Sequence, residues 1–118
     1  MRNRLLITFS LIVLSLTSLT AKSTPSSTVN TEASKGTVLI TGANRGLGLA
    51  LSRHFINDGY HVIGTARKPQ KATELQNAGA KVVQLDVTDD ASIMAMAETL
   101  KDTPIDIIVN NAGYVNSQ

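Results

Sequence analysis

The fold class this sequence predicts is an α/β protein on a doubly wound parallel sheet, and three observations predict it. Short runs of β-branched and aliphatic residues recur between Thr37 and Val109. Stretches with helical apolar spacing separate them, and glycine-rich or polar turns follow the strands. Apolar strands that alternate with helices form a parallel sheet covered on both faces, because each connection must cross over one face. Right-handed crossovers then wind the chain in both directions from its first strand. As far as this sequence runs, the sheet is truncated after the fourth strand.

Each element has its own signal. Thr37-Val38-Leu39-Ile40-Thr41 reads as the first strand and stops at Gly42. Leu47, Ala50, Leu51 and Phe55 recur at helical spacing, and Asp58-Gly59 closes that helix. Tyr60 to Thr65 is the second strand. Pro69 suits the first turn of a second helix, with Ala72, Leu75 and Ala78 facing inward and Gly79 ending it. Lys81 to Leu85 is the third strand. Thr88 suits the N-cap of the next helix, where Asp89 and Asp90 complement the helix dipole. Ile93, Met96, Ala97 and Leu100 form its stripe, which reads as core packing. Pro104 breaks the helix, and Ile105 to Val109 is the fourth strand.

The chain ahead of these elements has a different character. Met1-Arg2-Asn3-Arg4 is a basic start, and Leu5 to Leu16 is an apolar run leading to small residues and Ala21-Lys22-Ser23. That pattern matches an export-type leader over residues 1–23, and a membrane anchor is the alternative. The run falls short of the roughly 20 apolar residues of a comfortable span. Residues 24–35 are rich in Ser and Thr and too polar to bury much surface, which predicts a flexible linker. The folded part is then 36–118. Export to a periplasmic or lumenal space follows from the leader, and any membrane contact would run through this N-terminal segment alone. The absence of cysteine excludes disulfides and thiolate metal sites. A formal charge of +2 with scattered basic residues gives no footprint for nucleic acid.

The chemistry concentrates at Thr41-Gly42-Ala43-Asn44-Arg45-Gly46-Leu47-Gly48, between the first strand and the first helix. Glycines there allow a tight turn and let a pyrophosphate approach the backbone, where a helix N-terminus offers free N–H groups. A nucleotide-triphosphatase phosphate loop would need Lys followed by Ser or Thr after the last glycine, and Leu49-Ala50 stand there instead. A methyltransferase-like nucleoside site usually has a carboxylate at the end of the second strand. Ala66-Arg67 stands at that end. In dinucleotide-binding sheets an acidic residue here takes the ribose hydroxyls, whereas Arg suits a 2′-phosphate. Arg45 would reach the same region from the glycine turn, with Lys68 adjoining. Either arginine alone equally suits an ordinary surface position. His54 and His61 read as structural or solvated.

Thr41-Gly-x-x-x-Gly-x-Gly48, Asp86-Val87 after the third strand and Asn110-Asn111-Ala112-Gly113 after the fourth resemble, in order, the fingerprints of short-chain dehydrogenases/reductases. The resemblance spans about Lys35 to Tyr114, and its wording is most similar to the carbonyl-reductase-like and C-factor-like branches. It implies a Rossmann-like fold that binds a dinucleotide, NADP in preference to NAD. It implies that Gly42, Gly46 and Gly48 shape the pyrophosphate turn, with Asn44 and Leu47 also cofactor-binding and Arg45 and Arg67 selecting the 2′-phosphate. Asp86 would accept a hydrogen bond from the adenine amino group, with Val87 beside the ring, and Asn110, Asn111, Ala112 and Gly113 would lie along the cofactor. Asp86 also suits a turn or capping role, and the paired asparagines also suit tying loops together.

The same resemblance implies hydride transfer between NADP(H) and a small carbonyl or alcohol substrate, carried by a Ser and a Tyr-x-x-x-Lys. Neither Tyr60 nor Tyr114 has Lys four positions on. No catalytic residue is therefore assigned, and this chain alone is expected to be inactive. A non-catalytic dinucleotide-binding protein is the alternative.

Overall fold

The computed structural model describes residues 33–115. The leader expected over 1–23 lies outside the described residues, as does most of the linker expected over 24–35. Four parallel strands form one sheet: β1 (Thr37–Ile40), β2 (His61–Ala66), β3 (Lys81–Gln84) and β4 (Ile107–Val109), in the order β3-β2-β1-β4. Three α-helices connect them: α1 (Gly46–Asn57), α2 (Thr73–Asn77), preceded by a 3₁₀ turn over Pro69–Lys71, and α3 (Asp90–Leu100). The chain steps outward from β1 to β3 and then returns to place β4 on the other side of β1. That reversal opens a crevice beyond the carboxyl ends of β1 and β4, where open α/β sheets bind ligands.

Register assigns the side chains to faces. Val38 lies level with Val62 and Ile107, and Leu39 with Ile63 and Ile108. Val38, Ile40, Val62 and Ala66 face one side and pack with Ala43, Leu49, Ala72 and Leu75. Leu39, Ile63 and Val83 face the other and pack with Leu100. Each fully buried aliphatic side chain contributes on the order of 1.5–3 kcal/mol, so this two-sided burial stabilises the sheet. Among the described residues no helix is long and apolar enough to cross a membrane.

Four local expectations need correction. In α1 the buried positions are Gly48, Leu49 and Ser52, with Leu51 and Phe55 half-buried, while Ala50 is exposed and Leu47 is 67% exposed. Small residues face inward because the first turn presses on the preceding loop. Ser52 is tolerated there because its hydroxyl donates to the Gly48 carbonyl at 2.8 Å. The helix expected from Pro69 is interrupted at Ala72 (φ −86°, ψ 47°). The Pro69 carbonyl accepts from the Ala72 N–H and from the Gln76 side-chain amide, so no helical i+4 N–H reaches it.

The cap of α3 is Asp89, which accepts from the Ala91 N–H at 3.0 Å. Thr88 stands one residue ahead of the cap, and its N–H and hydroxyl both donate to Asp86 Oδ1 instead. The stripe of α3 narrows to Ser92, Met96 and Leu100, while Ile93, Met94 and Ala97 are exposed.

Near the start of the described residues, Lys35, which falls within the segment expected as linker, makes several contacts. Its backbone N–H donates to Gly59, and its ammonium sits 2.8 Å from Asp58 Oδ1 and 5.9 Å from the Tyr60 ring centre. The lysine beside Asp58 holds that carboxyl below the usual carboxylate range.

Candidate functional site

The glycine turn is held in shape by hydroxyls and one amide. The Gly42 N–H donates to Thr65 Oγ1 at 3.1 Å, and the Ala43 N–H to the Thr65 carbonyl at 2.9 Å. Thr41 Oγ1 accepts from the N–H groups of Asn111 and Ala112, both at 3.0 Å. Asn111 Nδ2 donates to the carbonyls of Thr41 and Gly42, both at 3.1 Å. The turn after β1 and the segment after β4 are thus laced together by groups that are wholly or partly buried. Thr41 and Thr65 are 7% and 1% exposed, and no buried side-chain N or O among the described residues lacks a partner.

Two glycines matter for distinct reasons. Gly42 adopts φ +65°, and a Cβ there would lie 3.0 Å from the Ala112 backbone. At Gly48 a Cβ would fall inside the contact shell of the Gly42 carbonyl and 2.7 Å from Asn111 Nδ2. The helix start can seat against the turn only without that carbon. Seated so, α1 has no side-chain cap and no acidic residue in its first turn, and the N–H groups of Gly46, Leu47 and Gly48 have no acceptor among the described residues. An uncapped helix of this length offers an anion both donors and a positive dipole end.

Beyond the strand ends lies a groove of about 800 Å³. Asn44 and Arg45 line it from the turn after β1. Arg67, Lys68 and Lys71 come from the segment after β2, Leu85 to Thr88 from the end of β3, and Ala112 to Val115 from the segment after β4. Four cations therefore share one groove, and none of them has an ion-pair partner within 4 Å among the described residues. Asp86 is the carboxylate among its walls. Hydrogen bonds from the Thr88 hydroxyl and N–H hold the Asp86 carboxyl below its usual range, partial burial opposes them, and the charge of Arg67 adds to the lowering.

The structure brings Asn44, Arg45, Arg67, Asp86, Val87, Ala112 and Gly113 together in this groove. Gly42, Gly48 and Asn111 are outside the lining and shape the turn, and Gly46 and Leu47 open α1 without lining the groove. Asn110 is exposed outside the lining. Sequence reasoning missed Lys71, whose place in the groove depends on the 3₁₀ turn, and the loop-tying hydroxyls of Thr41 and Thr65. Thr88 had a signal, its spacing of two from Asp86, which suits a local turn. His54 and His61 are exposed and lie outside the groove.

Residues 36–118 match the short chain dehydrogenase family. The chain belongs to that family. It is 44% identical over 84 residues to an oxidoreductase of Botryotinia fuckeliana, covering 66% of this chain and 31% of that protein. It is 43% identical over 88 residues to an NADPH-dependent pterin aldehyde reductase of Arabidopsis thaliana, covering 68% of this chain and 36% of that one. A short-chain dehydrogenase structure from Streptomyces avermitilis superposes with a TM-score of 0.60 at 36% identity, covering 66% of this chain and 31% of that one. This short-chain dehydrogenase chain thus spans about a third of the length of the curated relatives it matches. Nicotinamide dinucleotides are the cofactors of the family, and the groove fits their phosphates by an observation of its own. The turn closed to a Cβ at Gly48 leads into the uncapped amides of α1, and its Asn44 and Arg45 share the groove with three further cations that have no ion-pair partner among the described residues.

Proposed function

We propose that this chain is the NADP-binding half of an oxidoreductase that moves a hydride between NADP(H) and a small carbonyl or alcohol substrate. The observation that carries the reading is Arg45 and Arg67, from two different strand ends, lining one groove with no carboxylate paired to either among the described residues. A guanidinium fork binds a phosphate through paired hydrogen bonds and stays charged at any working pH. Arg67 stands where an NAD-binding site would carry an acidic residue. The similarity to the Arabidopsis NADPH-dependent pterin aldehyde reductase supports both the cofactor and a carbonyl substrate.

Within this reading the uncapped start of α1 and the turn at Gly42–Gly48 hold the pyrophosphate. Arg45 and Arg67 hold the 2′-phosphate, and Asp86 accepts from the adenine amino group beside Val87. Ala112 and Gly113 wall the groove from the β4 side, tied to β1 through Asn111. The bound cofactor supplies or accepts the hydride. The proton-handling Ser and Tyr-x-x-x-Lys of the family have no counterpart in this sequence.

Titration of the chain with NADPH, NADH and 2′-AMP tests the reading. NADPH is expected to bind at least tenfold more tightly than NADH, and 2′-AMP to compete. Arg45→Ala or Arg67→Ala each removes charge-assisted hydrogen bonds of about 1.5–3 kcal/mol, roughly a 10- to 150-fold loss for NADPH with little change for NADH. Equal binding of NADPH and NADH by the unsubstituted chain refutes it. NADPH binding by a chain that turns over no carbonyl in any longer form would favour a non-catalytic binding protein.

Export through residues 1–23 is part of the same proposal, supported by Arg2 and Arg4 ahead of the apolar run. Fractionation of a C-terminally tagged chain decides it. A shortened N-terminus in the exported fraction is expected, an intact Met1 in the membrane fraction indicates an anchor, and an intact Met1 in the soluble cytoplasm overturns both.

A further inference from the structure

Asp86 is held by two separate clamps. Its backbone N–H donates to Ser92 Oγ at 2.9 Å, and that hydroxyl in turn donates to Gln84 Oε1 at 2.8 Å. Ser92 is 7% exposed and uses both its donor and an acceptor site, so it fixes the main chain where β3 leads into α3. The carboxylate is held independently. Asp86 Oδ1 accepts from the Thr88 N–H at 2.9 Å and from the Thr88 hydroxyl at 2.6 Å. Oδ2 accepts no hydrogen bond among the described residues, although Asp86 lines the groove. One oxygen accepts two hydrogen bonds and its twin accepts none among the described residues.

We propose that Thr88 is a positioning residue that turns Asp86 into a one-sided acceptor and thereby sets the base preference of the groove. The inference rests on the dinucleotide reading above and deepens it. An ionised carboxylate accepts only, so Oδ2 attracts an amino group and repels a carbonyl oxygen. A purine with an exocyclic amine at the facing edge gains a charge-assisted hydrogen bond. A purine with a carbonyl at that position brings two acceptors together and loses it. This discrimination requires the carboxylate to keep one orientation. Without the Thr88 hydroxyl, Oδ1 keeps only the backbone N–H, and rotation about the Cβ–Cγ bond lets the carboxylate turn away from the base. Thr88 touches neither β-sheet cluster and is exposed, so its hydroxyl is separable from the core.

The test compares NADP with nicotinamide hypoxanthine dinucleotide phosphate, which carries a carbonyl in place of the adenine amine, on the whole chain and its variants. The unsubstituted chain is expected to favour the adenine form by about tenfold, in line with one charge-assisted hydrogen bond. Thr88→Val is expected to reduce that ratio at least threefold, and Thr88→Ser to restore it, because serine keeps the hydroxyl. Thr88→Ala is read alongside, and melting curves of all three confirm folding. A ratio unchanged in both Thr88→Val and Thr88→Ala overturns the inference while leaving the NADP reading intact. Failure of the unsubstituted chain to bind either dinucleotide overturns the NADP reading itself, and this inference with it. A uniform loss of affinity for both forms, with the ratio preserved, assigns Thr88 a merely structural role and also overturns the proposal.

Discussion

Replacing Gly48 by alanine sets two known magnitudes against each other. In an exposed helix the change would stabilise by about 0.8–1 kcal/mol, because alanine has the higher helix propensity. Gly48 is buried in the first turn of α1, and the added Cβ would meet the Gly42 carbonyl oxygen, Asn111 Nδ2 at 2.7 Å and the Ala43 Cα at 2.9 Å. Two of the three are backbone atoms of the turn, so rotamer changes cannot relieve the contact. Either α1 withdraws by roughly an ångström or the turn opens, and overpacking of this kind costs about 1–3 kcal/mol.

Withdrawal also strains the Asn111 side-chain bond to the Gly42 carbonyl, now 3.1 Å, which adds roughly 1 kcal/mol. Net destabilisation of about 1–3 kcal/mol is expected, with dinucleotide affinity falling further because the uncapped amides of α1 move with the helix. Urea denaturation measures the first effect and NADPH titration the second. Gly46→Ala is the control. Gly46 has φ +56° but nothing within 4 Å of its virtual Cβ, so only the left-handed backbone penalty of about 1–2 kcal/mol applies. A Gly48→Ala chain as stable as the unsubstituted one would falsify the packing argument.

Two further outcomes follow from the same geometry. Asn111→Asp should destabilise more than Asn111→Ala, since it aims a carboxylate at the carbonyls of Thr41 and Gly42 where an amide now donates to both; denaturation midpoints in the reverse order at neutral pH would contradict the tie. The Asp58 carboxyl is held low chiefly by its hydrogen bond to Lys35, so its contribution to stability is present above the ordinary carboxylate range and fades as pH falls through the lowered folded value. Lys35→Ala should move the Asp58 titration back toward 3.8 and flatten that acid-side dependence, as NMR titration of the carboxyl carbon can show.

The contrast between Arg67 and Lys71 shows how much of the site was legible in the residues themselves. Arg67 follows directly on β2, and strand ends are where an open α/β sheet presents its ligand contacts, so its place followed from the order of elements. Lys71 lies four residues on, in a segment that reads as uninterrupted helix. Only the competition of two donors for the Pro69 carbonyl, which closes a 3₁₀ turn, brings it to the groove. The buried face of α1 was illegible for a related reason. Apolar periodicity favours Leu47, but the neighbouring turn demands the absence of a side chain at Gly48, and the helix rotates to satisfy it.

Thr41-Gly-x-x-x-Gly-x-Gly48 at the head of an alternating chain determined the parallel sheet, the turn for an anion and the strand ends where its partners stand. Those properties depend on chain order, periodicity and backbone freedom, which are local and written in the residues. Tertiary structure decided the rest: which amide ties β4 to the turn, why Gly48 admits no Cβ, and that Lys71 reaches the groove. Such facts arise from contacts between segments some 20 to 70 residues apart or from competition for a single acceptor, and no reading of spacing alone contains them.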